Sequence, residues 1–240
     1  MKLLVINPNT SAGMTEDIRQ TIERIKSPGV QVTVTSPDFG ARSLESFYDY
    51  TLAGFAICRL LDTARGDYDG VLIACYGDPG LYAAKEICAC PVLGIAEASI
   101  SLSLLLGSRF AILAASEKAV PMMENMISQY DVRGRFAGVL PLGMSVLDAE
   151  KHKQQTIERL IEAGGKAAAN GAEVLILGCA GMTGMKEAVA GALNVVVLDP
   201  VECSYQMLEM ICRCGYKVSK RGLYAPPAVK EIVRKELLGR

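Results

Sequence analysis

Two cysteines are set apart by the residues around them. Cys75 opens C-Y-G-D-P-G-L and Cys179 opens C-A-G-M-T-G-M, so both read C-x-G-x-x-G followed by Leu or Met. Each closes an apolar run, GVLIA before the first and EVLILG before the second. A thiol that ends a strand and precedes a glycine turn and a helix sits where parallel α/β units hold ligands, beyond the carboxyl ends of the strands. Glycines there admit close backbone N–H groups, and a helix N-terminus favours negative charge. Such a position is expected to lower a thiol from roughly 8.5 towards neutrality. One cysteine would then be a thiolate and the other a thiol, a base and an acid able to take a proton from one face of a carbon and return it to the other. The backbone amides of the two turns, at Tyr76, Gly77, Ala180 and Gly181, are candidate donors to the planar anion formed between the transfers. The step requires no metal and no organic cofactor. A duplicated domain that inherited matching core cysteines would show the same pattern, so the repeat alone leaves both readings open.

The elements that must position these thiols follow from periodicity. LLVIN reads as a strand, and Met14, Ile18, Ile22 and Ile25 share one helical face. VQVTVT alternates as a strand, a helix spans about Tyr48 to Leu61, and GVLIAC is the strand that delivers Cys75. A helix near Leu81 to Ile87, the strand PVLGI and a helix through Leu106 complete four β-α units. The plan then recurs. FAILAA, a helix from Val120 to Tyr130, FAGVLPL and a helix from Glu150 to Ala169 come first. EVLILGC, a helix near Thr183 to Ala190, NVVVLDP and a helix from Cys203 follow. APPAVKEIVRKELL is expected to add a last helix opened by proline. The expectation is an α/β fold of two pseudo-symmetric domains, each a parallel sheet flanked by helices, with the site in the cleft between them. The first domain takes residues 1–98 and 208–240 and the second 99–207.

Composition limits the function. The chain has 240 residues, 50% of them hydrophobic and 21% charged, enough for a substantial core. The net charge is -1, and Lys and Arg are dispersed, which argues against nucleic acid or an anionic membrane as partner and leaves a small molecule. PVLGIAEASISLSLLLG carries Glu97 and several serines, so it reads as a strand and a buried helix rather than a membrane span. LLVI before INPNT is too short for a signal peptide core, giving a cytoplasmic expectation. Eight cysteines there are not expected to form disulfides, and the pairs Cys88/Cys90 and Cys212/Cys214 lack zinc-site spacing. The one histidine, His152, lies in the polar stretch EKHKQQ, which excludes a histidine-based triad.

The motifs together resemble the hydantoin racemase and allantoin racemase family of the aspartate/glutamate racemase superfamily. INPNTS with MT after it, SLES from Ser43 followed by Tyr48 and Asp49, ACYGDPGL, GIAEA from Gly94, LGCAGM, LDPV and SKRGLYAPP occur in order from Ile6 to Pro227. The resemblance implies a two-base mechanism with Cys75 and Cys179 as the pair, and a 5-substituted hydantoin or allantoin as substrate. It also implies a C-terminal segment that returns to the first domain, and a homo-oligomer. It turns Asn9 from an ordinary turn residue into a ligand contact. Ser43 and Glu45 lie on a loop before a helix, where a helix N-terminal role competes with a ligand contact, and Ser43 is the candidate contact of the two. The chain departs from the family after FAIL, where a hydroxyl residue is usual. Ala114 and Ala115 stand there with Ser116 next, so either the pocket is more apolar or Ser116 takes that role.

Other polar residues have plainer readings. Asp78 is expected to stabilise a helix N-terminus. Glu97 either lines the cleft or orients other groups, and Lys220 is a surface lysine or an anion contact. The rival activities are an aspartate- or glutamate-type racemase, which needs a carboxylate and ammonium clamp, and an arylmalonate-type decarboxylase, which needs one cysteine. A two-domain binding protein would need neither.

Overall fold

Strands buried on both faces need near-continuous apolar runs, and LLVI, GVLI, FAILA and VLIL supply them at the centres of two parallel sheets. The computed structural model describes residues 1–64 and 68–230. In the first half, β1 (Lys2–Ile6), β2 (Gln31–Thr35), β3 (Gly70–Ile73) and β4 (Val92–Gly94) form a sheet of order β2-β1-β3-β4. In the second, β5 (Phe110–Ala114), β6 (Phe136–Pro141), β7 (Val174–Leu177) and β8 (Val196–Leu198) form β6-β5-β7-β8. Every pairing is parallel, and the two orders are the same order repeated. The two-domain α/β expectation from the sequence is met.

The helices of the first half are α1 (Ala12–Ile25), α2 (Phe47–Thr63), α3 (Leu81–Ile87) and α4 (Ile95–Leu106). Those of the second are α5 (Ala119–Gln129), α6 (Val146–Lys151), α7 (Lys153–Ala169), α8 (Lys186–Leu193) and α9 (Pro200–Arg213). Serine or aspartate side chains cap the N-termini of α1, α2, α6 and α9 through Ser11, Ser46, Ser145 and Asp199. The single helix expected over Glu150–Ala169 is two, because His152 leaves the helical region at φ -108, ψ 60. Residues 225–230 of the expected C-terminal helix are not helical, and the remainder of that segment lies outside the described residues.

Helix α4 joins the halves. It packs on β4 and α9 and also on β7 and β8. One continuous core holds Leu3, Val5 and Leu72 of the first sheet together with Ile112, Val174 and Ile176 of the second. Helix α9 lies against β3, β4 and α1, so the last long helix among the described residues serves the first sheet. Among the described residues no helix is long and apolar enough to cross a membrane.

Candidate active site

Both cysteines leave their sheets at the same place. Cys75 follows the last residue of β3 by two positions, and Cys179 follows the last residue of β7 by two. The glycine turns repeat in three dimensions as well. The second glycine of each motif takes the left-handed conformation, φ +70 at Gly80 and φ +82 at Gly184, which a side chain would strain. The first glycine of each motif donates its N–H to the sulfur two residues earlier, Gly77 to Cys75 and Gly181 to Cys179 Sγ at 3.3 Å.

The two thiols open on one chamber between the halves. Its walls are mostly apolar, with Met14, Leu44, Ala74, Ala115, Ala119 and Val146 among them. No residue that lines it, among those described, is Lys or Arg, and the one charged side chain is Glu45.

The other expected contacts divide. Asn9, Tyr76, Ser116 and Ala180 line the chamber. Asn9 also ties its turn, since its Oδ1 accepts from the Ser11 N–H at 2.8 Å while its Nδ2 donates to Met14 Sδ at 3.0 Å. Ser43 does not line it. It stands behind Glu45 and donates to Glu45 Oε1 at 2.8 Å. Gly77 and Gly181 are also absent from the wall. Their amides are directed at the sulfurs instead of at the space where an anionic intermediate would form. Ser116 does line the wall beside Ala115, so a hydroxyl remains available.

The sequence reading missed Tyr50, on the first turn of α2. Its ring packs so tightly over the Cys75 loop that a Cβ at Gly77 would lie 2.2 Å from Tyr50 Cζ. Burial raises the Tyr50 phenol, and both thiols add to that, so it neighbours Cys75 and Cys179 together. The C-x-G spacing is the only trace of this contact in the sequence. It marks a close approach without saying to what. Met122 and Met123 of α5 were missed as well, and no motif announces them.

The thiols reverse the expected shift. Burial pushes Cys75 up to about 12 and Cys179 up to about 11. The Gly77 and Gly181 N–H groups oppose this but do not overcome it. The charges nearby are also of the wrong sign: Asp78 for Cys75, and Glu45 and Glu150 for Cys179. The helices that were to help begin further on, α3 at Leu81 and α8 at Lys186, and the influence of a helix end fades within a turn.

Two buried aspartates anchor the cysteine loops. Asp78, in the first loop, adopts φ +43 and accepts from the Ala96 and Glu97 N–H groups at 3.1 and 2.7 Å. It stabilises a helix N-terminus, as expected, but that of α4 rather than of α3. Asp199 is the N-cap of α9 and reaches back to the second loop, accepting from the Gly184 N–H and the Thr183 hydroxyl, both at 2.8 Å. In each half a carboxylate ties the cysteine loop to the helix after the next strand, from opposite ends of the same connection.

The remaining candidates act outside the chamber. Glu97 pairs with the buried Lys85. Lys220 donates to the carbonyls of Lys85 and Glu86 at the end of α3, which is neither a free surface position nor an anion site. None of the eight cysteines, all among the described residues, is in a disulfide, and His152 is exposed. Among the described residues no group of three or more His, Cys, Asp or Glu is arranged to hold a metal.

The sequence pattern of the family described as Asp/Glu/Hydantoin racemase matches residues 3–208. A hydantoin racemase of Pseudomonas sp. (strain NS671) is 35% identical over 237 residues, covering 97% of this chain and 94% of that protein. The structure of an allantoin racemase from Klebsiella pneumoniae superimposes with a TM-score of 0.93 at 30% identity, over 99% of this chain and 98% of the other. An allantoin racemase from Pseudomonas fluorescens gives 0.93 at 31% identity, over 97% and 100%.

Proposed function

The chain belongs to the Asp/Glu/Hydantoin racemase family, and from that premise we propose that it inverts C5 of a hydantoin ring with Cys75 and Cys179 as its two bases. The observation that carries this reading is that two thiols at equivalent strand ends open on one small, mostly apolar chamber. The thiolate of one cysteine removes the C5 proton and becomes a thiol. The electron pair left on carbon is shared with the adjacent ring carbonyl. The thiol of the other cysteine protonates the opposite face and becomes the thiolate, so no proton is gained or lost. Both transfers use side chains of this chain, and the proposal includes no cofactor.

The raised thiols suit this chemistry. C5–H is a weak carbon acid, and a buried thiolate is a stronger base than one held near neutrality. The cost is that little thiolate exists in the free protein at neutral pH.

The chamber favours a neutral ring over an amino acid. Aspartate or glutamate would bring two carboxylates into a wall whose one charge is Glu45. Asn9, Ser116 and the backbone N–H groups of Tyr76 and Ala180 are the groups proposed to hold the ring. A cytoplasmic setting and an assembly of identical chains belong to the same proposal. The second is supported by exposed Tyr48, Leu52 and Phe55, which recur at helical spacing along α2.

Polarimetry tests the activity. Single enantiomers of several 5-substituted hydantoins and of allantoin are incubated with the protein in reductant and chelator. Rotation decaying to zero is expected for at least one of them, and the relative rates name the substrate. Stable rotation throughout would refute the reading.

A further inference from the structure

The chamber between the thiols is small, about 40 Å3, and a second cavity of about 320 Å3 adjoins it. The two share Tyr50, Tyr76, Met122 and Met123 as walls. A space of 40 Å3 holds only a few waters at about 10–15 Å3 each, so a compact ring fills it. Any sizeable arm on C5 must therefore leave past Tyr50 and the two methionines into the larger space.

That space has a definite chemistry. Tyr82 and Tyr130 add aromatic faces to Tyr50, and Met126 adds a polarisable one, a lining suited to an aromatic ring. Its one carboxylate, Asp78, already accepts from two backbone N–H groups and from the Tyr130 hydroxyl. Among the described residues none of its walls is Lys or Arg, so an anionic arm would meet a carboxyl and no counter-charge.

Resting on the hydantoin reading above, we propose that this second cavity receives the C5 arm and selects a neutral arylmethyl group over a small alkyl or an anionic one. Helix α5 is then the specificity element. Asn125, Met126 and Gln129 line this cavity and not the thiol chamber, and Asn125 and Gln129 are exposed enough to be replaced without disturbing the core.

The test compares kcat/KM for 5-benzyl-, 5-methyl- and 5-carboxymethylhydantoin. In the unaltered protein the benzyl compound is expected to exceed each of the others by about tenfold or more, the scale of apolar discrimination in a fitted pocket. Gln129→Trp, which fills the cavity from its exposed side, should lower the benzyl-to-methyl ratio by about tenfold. Met126→Ala, which enlarges it, gives a second reading through a shift of preference towards larger aryl arms. A ratio unmoved by Gln129→Trp overturns the proposal, whether both rates fall together, as for a mere doorway, or neither does. A faster rate with the carboxymethyl compound overturns the charge argument. Racemisation of none of the three by the unaltered protein, with allantoin or another ring turned over instead, overturns the arm assignment while leaving the two-thiol reading intact. Turnover of no hydantoin at all defeats the underlying reading itself.

Discussion

The hydroxyl of Tyr130, just beyond α5, donates to Asp78 Oδ2 at 3.0 Å across the boundary between the halves. Asp78 lies three residues after Cys75 and also holds the first turn of α4. One carboxylate therefore links the first thiol loop, the helix shared by the two sheets, and the helix that closes the second cavity.

This junction should make stability fall as the medium becomes alkaline. Burial pushes the Asp78 carboxyl up to about 7 from an ordinary 3.8, against the hydrogen bonds it accepts. The folded chain thus holds this proton more tightly than the unfolded chain. The favourable contribution is complete below about pH 4 and is lost as pH rises through about 7. Urea titrations at pH 5 and pH 8 should show the unaltered protein losing stability across this interval. Asp78→Asn, which does not ionise, should lose less, by a margin on the order of a few kcal/mol. Equal losses in both proteins would show that Asp78 does not titrate there.

The thiols predict a rising alkaline limb for catalysis. Both are held above the ordinary cysteine value, so the thiolate is a minor species at neutral pH and grows about tenfold per pH unit. Alkylation of Cys75 and Cys179 by iodoacetamide, followed by peptide mass spectrometry, should accelerate continuously from pH 7 to pH 9.5. Exposed Cys214 serves as the internal comparison. A plateau near pH 7 to 8 at either cysteine would mean that its thiolate is stabilised after all.

Replacing either thiol should separate the two faces of the reaction. Cys75→Ser and Cys179→Ser are each expected to lower racemisation by about 1,000-fold, within the usual range for losing an acid or a base. In deuterated water each variant should still exchange C5–H of one enantiomer, the enantiomer whose proton faces the surviving thiol, and the two variants should prefer opposite enantiomers. Full racemisation by either variant, followed by chiral chromatography, would remove that cysteine from the mechanism.

The sequence made the frame readable because its signals are local. Apolar runs end at Cys75 and Cys179, and the glycine spacing repeats because both loops need a left-handed residue at Gly80 and Gly184. The family resemblance rested on motifs spread over most of the chain, and the match over residues 3–208 bears it out. The parts that could not be read depend on distant partners. Nothing near Asp78 says that it caps α4, and nothing near Gly77 names Tyr50. The thiol shift had the wrong sign because helix ends can be counted from sequence, whereas the depth of burial and the approach of Glu45 and Glu150 to Cys179 arise only in the assembled fold.

The counterpart of Asp78 in the second half gives the sharpest stability prediction. Asp199 uses both oxygens: Oδ1 accepts from the Val201 and Glu202 N–H groups at 3.0 and 3.2 Å, and Oδ2 accepts from the Gly184 N–H and the Thr183 hydroxyl. Every one of these partners can donate, and three of them can do nothing else. An amide in this place must turn its NH2 towards one donor pair or the other, so Asp199→Asn either uncaps α9 or releases the Cys179 loop. The site is buried, so the mismatched group stays without water. Asp199→Asn should cost about 2–3 kcal/mol in urea unfolding, despite being nearly isosteric. Where the loop is the part released, proton exchange from the Cys179 face should fall further than exchange from the Cys75 face. An Asn variant as stable as the unaltered protein would show that this carboxylate does not hold the loop.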